Sequence, residues 1–192
     1  MEELHYKVVF LGDHGVGKTS LLTRYDDEPF NEYEKSTVTA TFKSKTLEYE
    51  GKNYIFDLLD TPGTEAFRSL TKIYMKNSHI IILVYDVTKK RSFLELQFWL
   101  DYILETYGQK MFLILIGNKS DLTGNINIKE SDGAKFAKII KAPFIQLSAK
   151  DNYIELKQFL DDTFKYFLKK VHKDKVDIEE DIDNKSDSFE FS

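Results

Sequence analysis

Gly12-Asp13-His14-Gly15-Val16-Gly17-Lys18-Thr19, preceded by the apolar run Val8-Val9-Phe10-Leu11 and followed by Leu21 and Leu22, reads as strand, glycine-rich turn, helix. The spacing fits a phosphate-binding loop, in which glycines let successive backbone N–H groups turn inward on the α- and β-phosphates. A side chain at Gly15 or Gly17 would intrude. Lys18, at the helix start, is placed to reach the β- and γ-phosphates, which makes it a catalytic as well as a binding candidate. Thr19 offers its hydroxyl to Mg²⁺, and the helix N-terminus adds its dipole. Asp13, His14, Val16 and Ser20 complete the binding segment. The loop alone decides neither the base nor the choice between a switch, a kinase and a motor.

Working outward, 192 residues with 42% hydrophobic and 14% aromatic content suit one globular domain with a full core. There are no cysteines, which excludes disulfides, thiolate metal sites, cysteine catalysis, palmitoylation and prenylation within these residues. The start, Met1-Glu2-Glu3-Leu4-His5, has no basic region or long apolar segment, and no run approaches a membrane span, so a cytoplasmic protein is the default expectation. The net charge of −5 is uneven. Asp174 to Ser192 holds eight acids against Lys175 and Lys185, so the tail carries −6 and the remainder +1. That balance argues against nucleic acid as a partner.

Strand and helix signals alternate along the chain. A strand over Tyr6–Leu11 precedes a helix from Lys18 to about Tyr25, ended by Pro29. Phe30 to Val38 is polar, lacks periodicity and reads as a loop long enough to be functional. Thr39–Glu50 and Lys52–Leu59, split by Gly51, form an antiparallel pair. Helical spacing recurs over Ala66–Lys76 (Phe67, Leu70, Ile73, Tyr74), Arg91–Thr106 (Phe93, Leu96, Trp99, Leu100, Ile103, Leu104), Glu130–Ile140 and Ile154 to about Val171. Buried-strand runs fall at His79–Tyr85, Met111–Ile116 and Phe144–Leu147. The pattern predicts a three-layer α/β/α fold, its mixed six-stranded sheet having one antiparallel strand and about five helices. Ligands of such sheets bind beyond the carboxyl ends of the strands.

The remaining motifs all follow strands. Asp60 can hold Mg²⁺ through a water, and the free N–H of Gly63 can meet a γ-phosphate. Asn118-Lys119-Ser120-Asp121 offers a carboxylate that accepts from both N1–H and the 2-amino group of guanine, whereas adenine has neither donor and would leave it unpaired. Ser148-Ala149-Lys150 can present a backbone N–H to guanine O6. GTP or GDP with Mg²⁺ is therefore the expected cofactor.

With these motifs in this order, the chain resembles the Ras-like small GTPases, and within them the Rab family, over about His5 to Val171. Glu65-Ala66-Phe67-Arg68-Ser69-Leu70-Thr71 and Leu83-Val84-Tyr85-Asp86-Val87-Thr88 extend the resemblance. It implies a P-loop G domain over residues 5–171, followed by an acidic, flexible tail over 172–192. It also implies that Phe30 lies edge-on to the base, that Thr37 binds Mg²⁺ and γ-phosphate in the first switch, and that Lys119 packs along the base. Phe42 and Tyr74 would face effectors, and exchange factors and activating proteins would act through the switches.

The departures are specific. The family places a water-orienting Gln one residue after the switch glycine; here Thr64 holds that catalytic position and is too short to reach, so slow hydrolysis is expected. His14 replaces a small residue near the γ-phosphate and any incoming arginine finger, Pro62 an Ala, Thr39 a Gly and Leu59 a Trp. No cysteine is present to carry a prenyl anchor, so membrane contact would need a partner or a C-terminus beyond Ser192. The leading expectation is a Mg²⁺-dependent GTP-binding switch in vesicle traffic. The alternative is a GTP-binding scaffold that does not cycle; a nucleotide kinase would need an Arg-rich lid and leaves Asn118–Asp121 without purpose.

Overall fold

The structure, a computed structural model, describes residues 4–34, 36–37, 39–63, 68–108 and 111–186, with 68–71 and 174–186 described as backbone only. The elements are β1 (Leu4–Leu11), α1 (Lys18–Tyr25), β2 (Thr41–Tyr49), β3 (Lys52–Asp60), α2 (Arg68–Met75) and β4 (Ile80–Asp86). They continue with α3 (Lys90–Tyr107), β5 (Phe112–Asn118), a 3₁₀ turn (Thr123–Asn125), α4 (Glu130–Ile140), β6 (Phe144–Gln146) and α5 (Tyr153–Ser186). The six strands run in the order β2-β3-β1-β4-β5-β6. Only β2 is antiparallel to its neighbour β3, because only that connection is a tight turn; the others cross over through helices.

Central strands buried on both faces explain the continuous apolar runs. All seven residues of β4 are buried. Odd and even positions feed two cores. Val8, Phe10, Ile80 and Ile82 pack with Leu21 of α1 and Leu160 and Phe164 of α5. Val9, Leu11, Ile81 and Leu83 pack with Met75 of α2, Leu96 and Trp99 of α3 and Ala137 of α4. The three-layer α/β expectation holds.

Several details differ from the sequence reading. Leu104 is 44% exposed, because Ile103 takes the inward direction and the next residue is rotated about 100° around the helix. Ile73 is 64% exposed, because Met75, two residues on and about 200° further round the helix, is the one that is fully buried. The last helix continues past Val171 to Ser186. No Gly or Pro interrupts Tyr153–Ser186, so the acidic segment extends the helix rather than ending it.

Ion pairs fix the stem that leads into the loop at 30–37. Lys43 of edge strand β2 meets Asp26 at 2.8 Å and also Glu28, while Lys157 of α5 meets Asp27 at 2.6 Å.

Candidate nucleotide site

At the carboxyl ends of β1, β3, β5 and β6 the chain encloses a cavity of about 440 Å³. One end of it is the turn between β1 and α1. Gly17, the residue preceding α1, has φ of 95°, and a Cβ there would fall 2.2 Å from Nδ2 of Asn118. The close approach of two loops, not only the turn, requires glycine. Lys18 is 5% exposed and its Nζ donates to the carbonyls of Gly12 (2.9 Å) and Asp13 (3.0 Å). Burial pulls its pKa down to about 8, with Asp60 and Asp13 opposing. The ammonium is thus desolvated and aimed along its own loop. Gly63 lies against it: a Cβ there would sit 2.6 Å from Lys18 Nζ and from the carbonyl of Asp13.

Three oxygens from distant segments meet beside Lys18. Thr19 Oγ1 donates to Asp60 Oδ2 at 2.6 Å and lies 2.6 Å from Thr37 Oγ1, which itself is 3.3 Å from Asp60 Oδ2. Asp60 is fully buried, its other oxygen has no hydrogen-bond partner among the described residues, and burial raises its carboxyl pKa against the pull of Thr19 and Lys18. Two hydroxyls and a buried carboxylate with an unused oxygen form a hard, oxygen-only donor set, which fits Mg²⁺.

The far end is built on Asn118, 2% exposed, whose Nδ2 donates to Val16 O (2.9 Å) and whose Oδ1 accepts from Ala149 N (3.0 Å). One side chain therefore ties the phosphate loop, the end of β5 and the loop after β6. Lys119 crosses the same gap, with Nζ 2.5 Å from Gly15 O. Ser148 Oγ accepts from Lys150 N at 3.0 Å and so shapes its loop, and Lys150 pairs with Glu32 across the cavity mouth. Asp121, Ala149 and Phe30 line this end, and Phe30 also packs on the α1/α5 core.

The structure brings His14, Gly15, Gly17, Lys18, Thr19, Ser20, Thr37 and Gly63 to the same cavity. Val16 contributes backbone only, its side chain being fully buried in the core, and Asp13 contributes its carbonyl to Lys18 and its carboxylate to His14 N. His14 is exposed and its Nε2 lies 3.5 Å from Ser36 Oγ, so it reaches the loop that carries Thr37. Thr64, with Glu65, Ala66 and Phe67, lies outside the described residues. Sequence reasoning missed Thr61 and Glu32. Thr61 lines the cavity and donates to Phe10 O at 2.7 Å.

Comparison with known proteins agrees with this geometry. A family model described as "Ras family" matches residues 7–173. Ras-related protein RABD2a of Arabidopsis thaliana is 41% identical over 146 residues, 76% of this chain and 72% of that protein. Ras-related protein Rab-12 of Homo sapiens is 43% identical over 148 residues, 77% of this chain and 61% of that protein. Ras-related protein Rab-26 of Rattus norvegicus is 42% identical over 149 residues, 77% of this chain and 58% of that protein. With the family model spanning nearly every strand and helix that builds the site, this chain belongs to the Ras family, as a Rab-like small GTPase.

Proposed function

We propose that this chain is a Mg²⁺-dependent switch that binds GTP and GDP, hydrolyses GTP slowly, and acts in vesicle traffic and protein transport. The observation that carries the reading is the meeting of Thr19, Thr37 and Asp60 within 3.3 Å. Thr37 belongs to a loop between α1 and β2, so a metal bound there links that loop to the phosphates and makes its position depend on nucleotide state. In this reading Thr19, Thr37 and Asp60 would hold Mg²⁺, which would supply positive charge to neutralise the phosphates. Lys18 meets the same phosphates, its desolvated ammonium strengthened by the dry surroundings. Asp121 selects guanine, Ser148–Lys150 presents a backbone N–H to O6, Lys119 lies along the base, and Gly63 senses the γ-phosphate.

Slow hydrolysis is supported by Thr64, which has no amide to align water, and by His14, whose bulk lines the cavity with Nε2 3.5 Å from Ser36 Oγ. The G domain is taken as residues 5–171, with 172–192 as an acidic extension. Trafficking is supported by the Rab-named relatives and by Phe42, 64% exposed on edge strand β2, as a surface for effectors and regulators. Among the described residues no helix is long and apolar enough to cross a membrane, and we place the protein in the cytoplasm, meeting endomembranes through partners.

Single-turnover GTP hydrolysis tests the reading. The wild type should turn over below a Gln-bearing relative, and Thr64→Gln should raise the rate, alone or together with His14→Ser. A wild-type rate equal to that of Gln-bearing small GTPases overturns the slow-switch assignment. Tight GTP binding with no turnover in any variant points instead to a non-cycling scaffold.

A further inference from the structure

Asp86, the last residue of β4, is a charge that the site as read above leaves unused. It is 1% exposed; Oδ1 is hydrogen-bonded, whereas Oδ2 has no partner of hydrogen-bond geometry among the described residues and is met by an ion-pair contact alone. Oδ1 accepts from Thr88 N at 2.9 Å and from Thr88 Oγ1 at 2.6 Å. Oδ2 lies 2.8 Å from Lys119 Nζ, the same ammonium that donates to Gly15 O at 2.5 Å. The backbone of Asp86 is pinned as well: its N–H donates to Ser92 Oγ at 3.0 Å, and that hydroxyl donates in turn to Lys89 O at 2.7 Å.

The sheet sets this arrangement. The β4–β5 register pairs Asp86 with Asn118, so the carboxylate is held one residue from Lys119. A lysine stem has four rotatable bonds and a compact ammonium with no preferred plane; a fixed anion is needed to give it one location. Lys119 itself has φ of 70°, a left-handed conformation that persists in a non-glycine residue where the surroundings over-determine it. Burial acts to raise the Asp86 carboxyl pKa, but Lys119 and Thr88 hold it below the ordinary carboxylate value, so the group stays charged beside the ammonium.

We propose that Asp86 is a positioning residue for nucleotide retention: it fixes the Lys119 ammonium against the Gly15 carbonyl and so locks the base-reading loop to the phosphate loop. The inference rests on the guanine-nucleotide reading above. Because the lock acts between protein segments, its loss speeds the escape of GDP and GTP alike and does not alter the choice of base.

Release of fluorescent GDP and GTP from the full chain is the test, with wild type, Asp86→Asn, Lys119→Met, the double variant and Thr88→Ala compared. Asp86→Asn should speed release of both nucleotides by about tenfold or more, since neutralising Asp86 removes the anion that holds the Lys119 ammonium in place. In the Lys119→Met background the same change should add less than about twofold, because coupled groups are not additive. Thr88→Ala, which leaves the ion pair in place, should stay within about threefold of wild type. Wild-type release in Asp86→Asn, or an undiminished effect in the double variant, overturns the proposal. So does Thr88→Ala releasing as fast as Asp86→Asn, since Asp86 would then act only through the packing of its own loop. If Asp86→Asn does not fold, Asp86→Glu in both Lys119 backgrounds supplies the same cycle. A wild-type chain that retains no guanine nucleotide overturns the underlying functional reading, and the proposal with it.

Discussion

At the scale of single residues, the site is a set of acceptors and donors whose removal has a direction. Asp121 lines the cavity. A carboxylate there is satisfied by the two donors of guanine, so Asp121→Asn should lower GTP affinity by about 100-fold or more and move preference towards xanthine nucleotides, as competition binding would show. ATP competing equally with GTP for the wild type would mean the carboxylate does not read the base. Far from the site, His79 gives a pH dependence. Its Nδ1 accepts from Lys7 N–H at 3.0 Å, which a protonated ring cannot do, and burial followed by the Lys7 charge lowers its pKa from 6.5. The unfolded chain then takes up the proton first as pH falls below 6.5, so stability declines from there until the folded pKa is passed. Urea midpoints at about pH 7.5 and about pH 5.5 should differ more in wild type than in His79→Gln. Equal losses in both proteins would remove His79 from the account.

At the scale of elements, α4 is held to the sheet by a close approach at Gly133. A Cβ there would lie 2.3 Å from Tyr85 Oη of β4 and 2.5 Å from Phe144 Cζ of β6. Gly→Ala inside a helix ordinarily stabilises by about 1 kcal/mol, but overpacking costs about 1–3 kcal/mol, and both obstacles are ring atoms with little room to give. Gly133→Ala should therefore destabilise. The Tyr85 hydroxyl is buried with no hydrogen-bond partner among the described residues, so Tyr85→Phe should be neutral or stabilising and should relieve part of the Gly133→Ala loss. Denaturation of the two variants and their double tests both signs; a strongly destabilising Tyr85→Phe would show that the hydroxyl has a partner. What was legible here follows from period and spacing. The limits of α4, Glu130–Ile140, could be read from the sequence because an apolar stripe and its flanks mark both ends. The phosphate loop was legible because all its parts lie within eight residues. The Asn118 bond to Val16, 102 residues away, was not, since strand register alone brings the two together. Nor was the reach of α5 to Ser186: charge without apolar periodicity reads as a tail, although nothing in it breaks a helix. The inward or outward aim of Ile73 and Leu104 likewise depends on a rotation that residue type does not encode.

At the scale of the whole molecule, the site belongs to no single element. Its donors follow β1, β3, β5 and β6 and include Thr37 from the loop before β2, and the strands that carry them form the layer between the two cores. A ligand held by all of these binds the folded chain and not the unfolded one, so its binding energy becomes stability of the entire domain. At about a thousand times Kd this amounts to about 4 kcal/mol. For a chain of this size each kcal/mol shifts the melting temperature by about 2–4 °C. GDP or GTP with Mg²⁺ should therefore raise melting by about 10 °C, chelating the metal should reverse much of the GTP gain and less of the GDP gain, and ATP at equal concentration should leave the transition within about 1 °C of the ligand-free protein. Thr19→Asn separates metal from base. It removes the hydroxyl that joins Asp60 and Thr37, so the Mg²⁺-dependent part of the GTP shift should shrink while most of the GDP shift survives. Equal loss of both shifts would mean that Thr19 serves the phosphate loop alone, and that the loop carrying Thr37 does not sense the nucleotide through the metal.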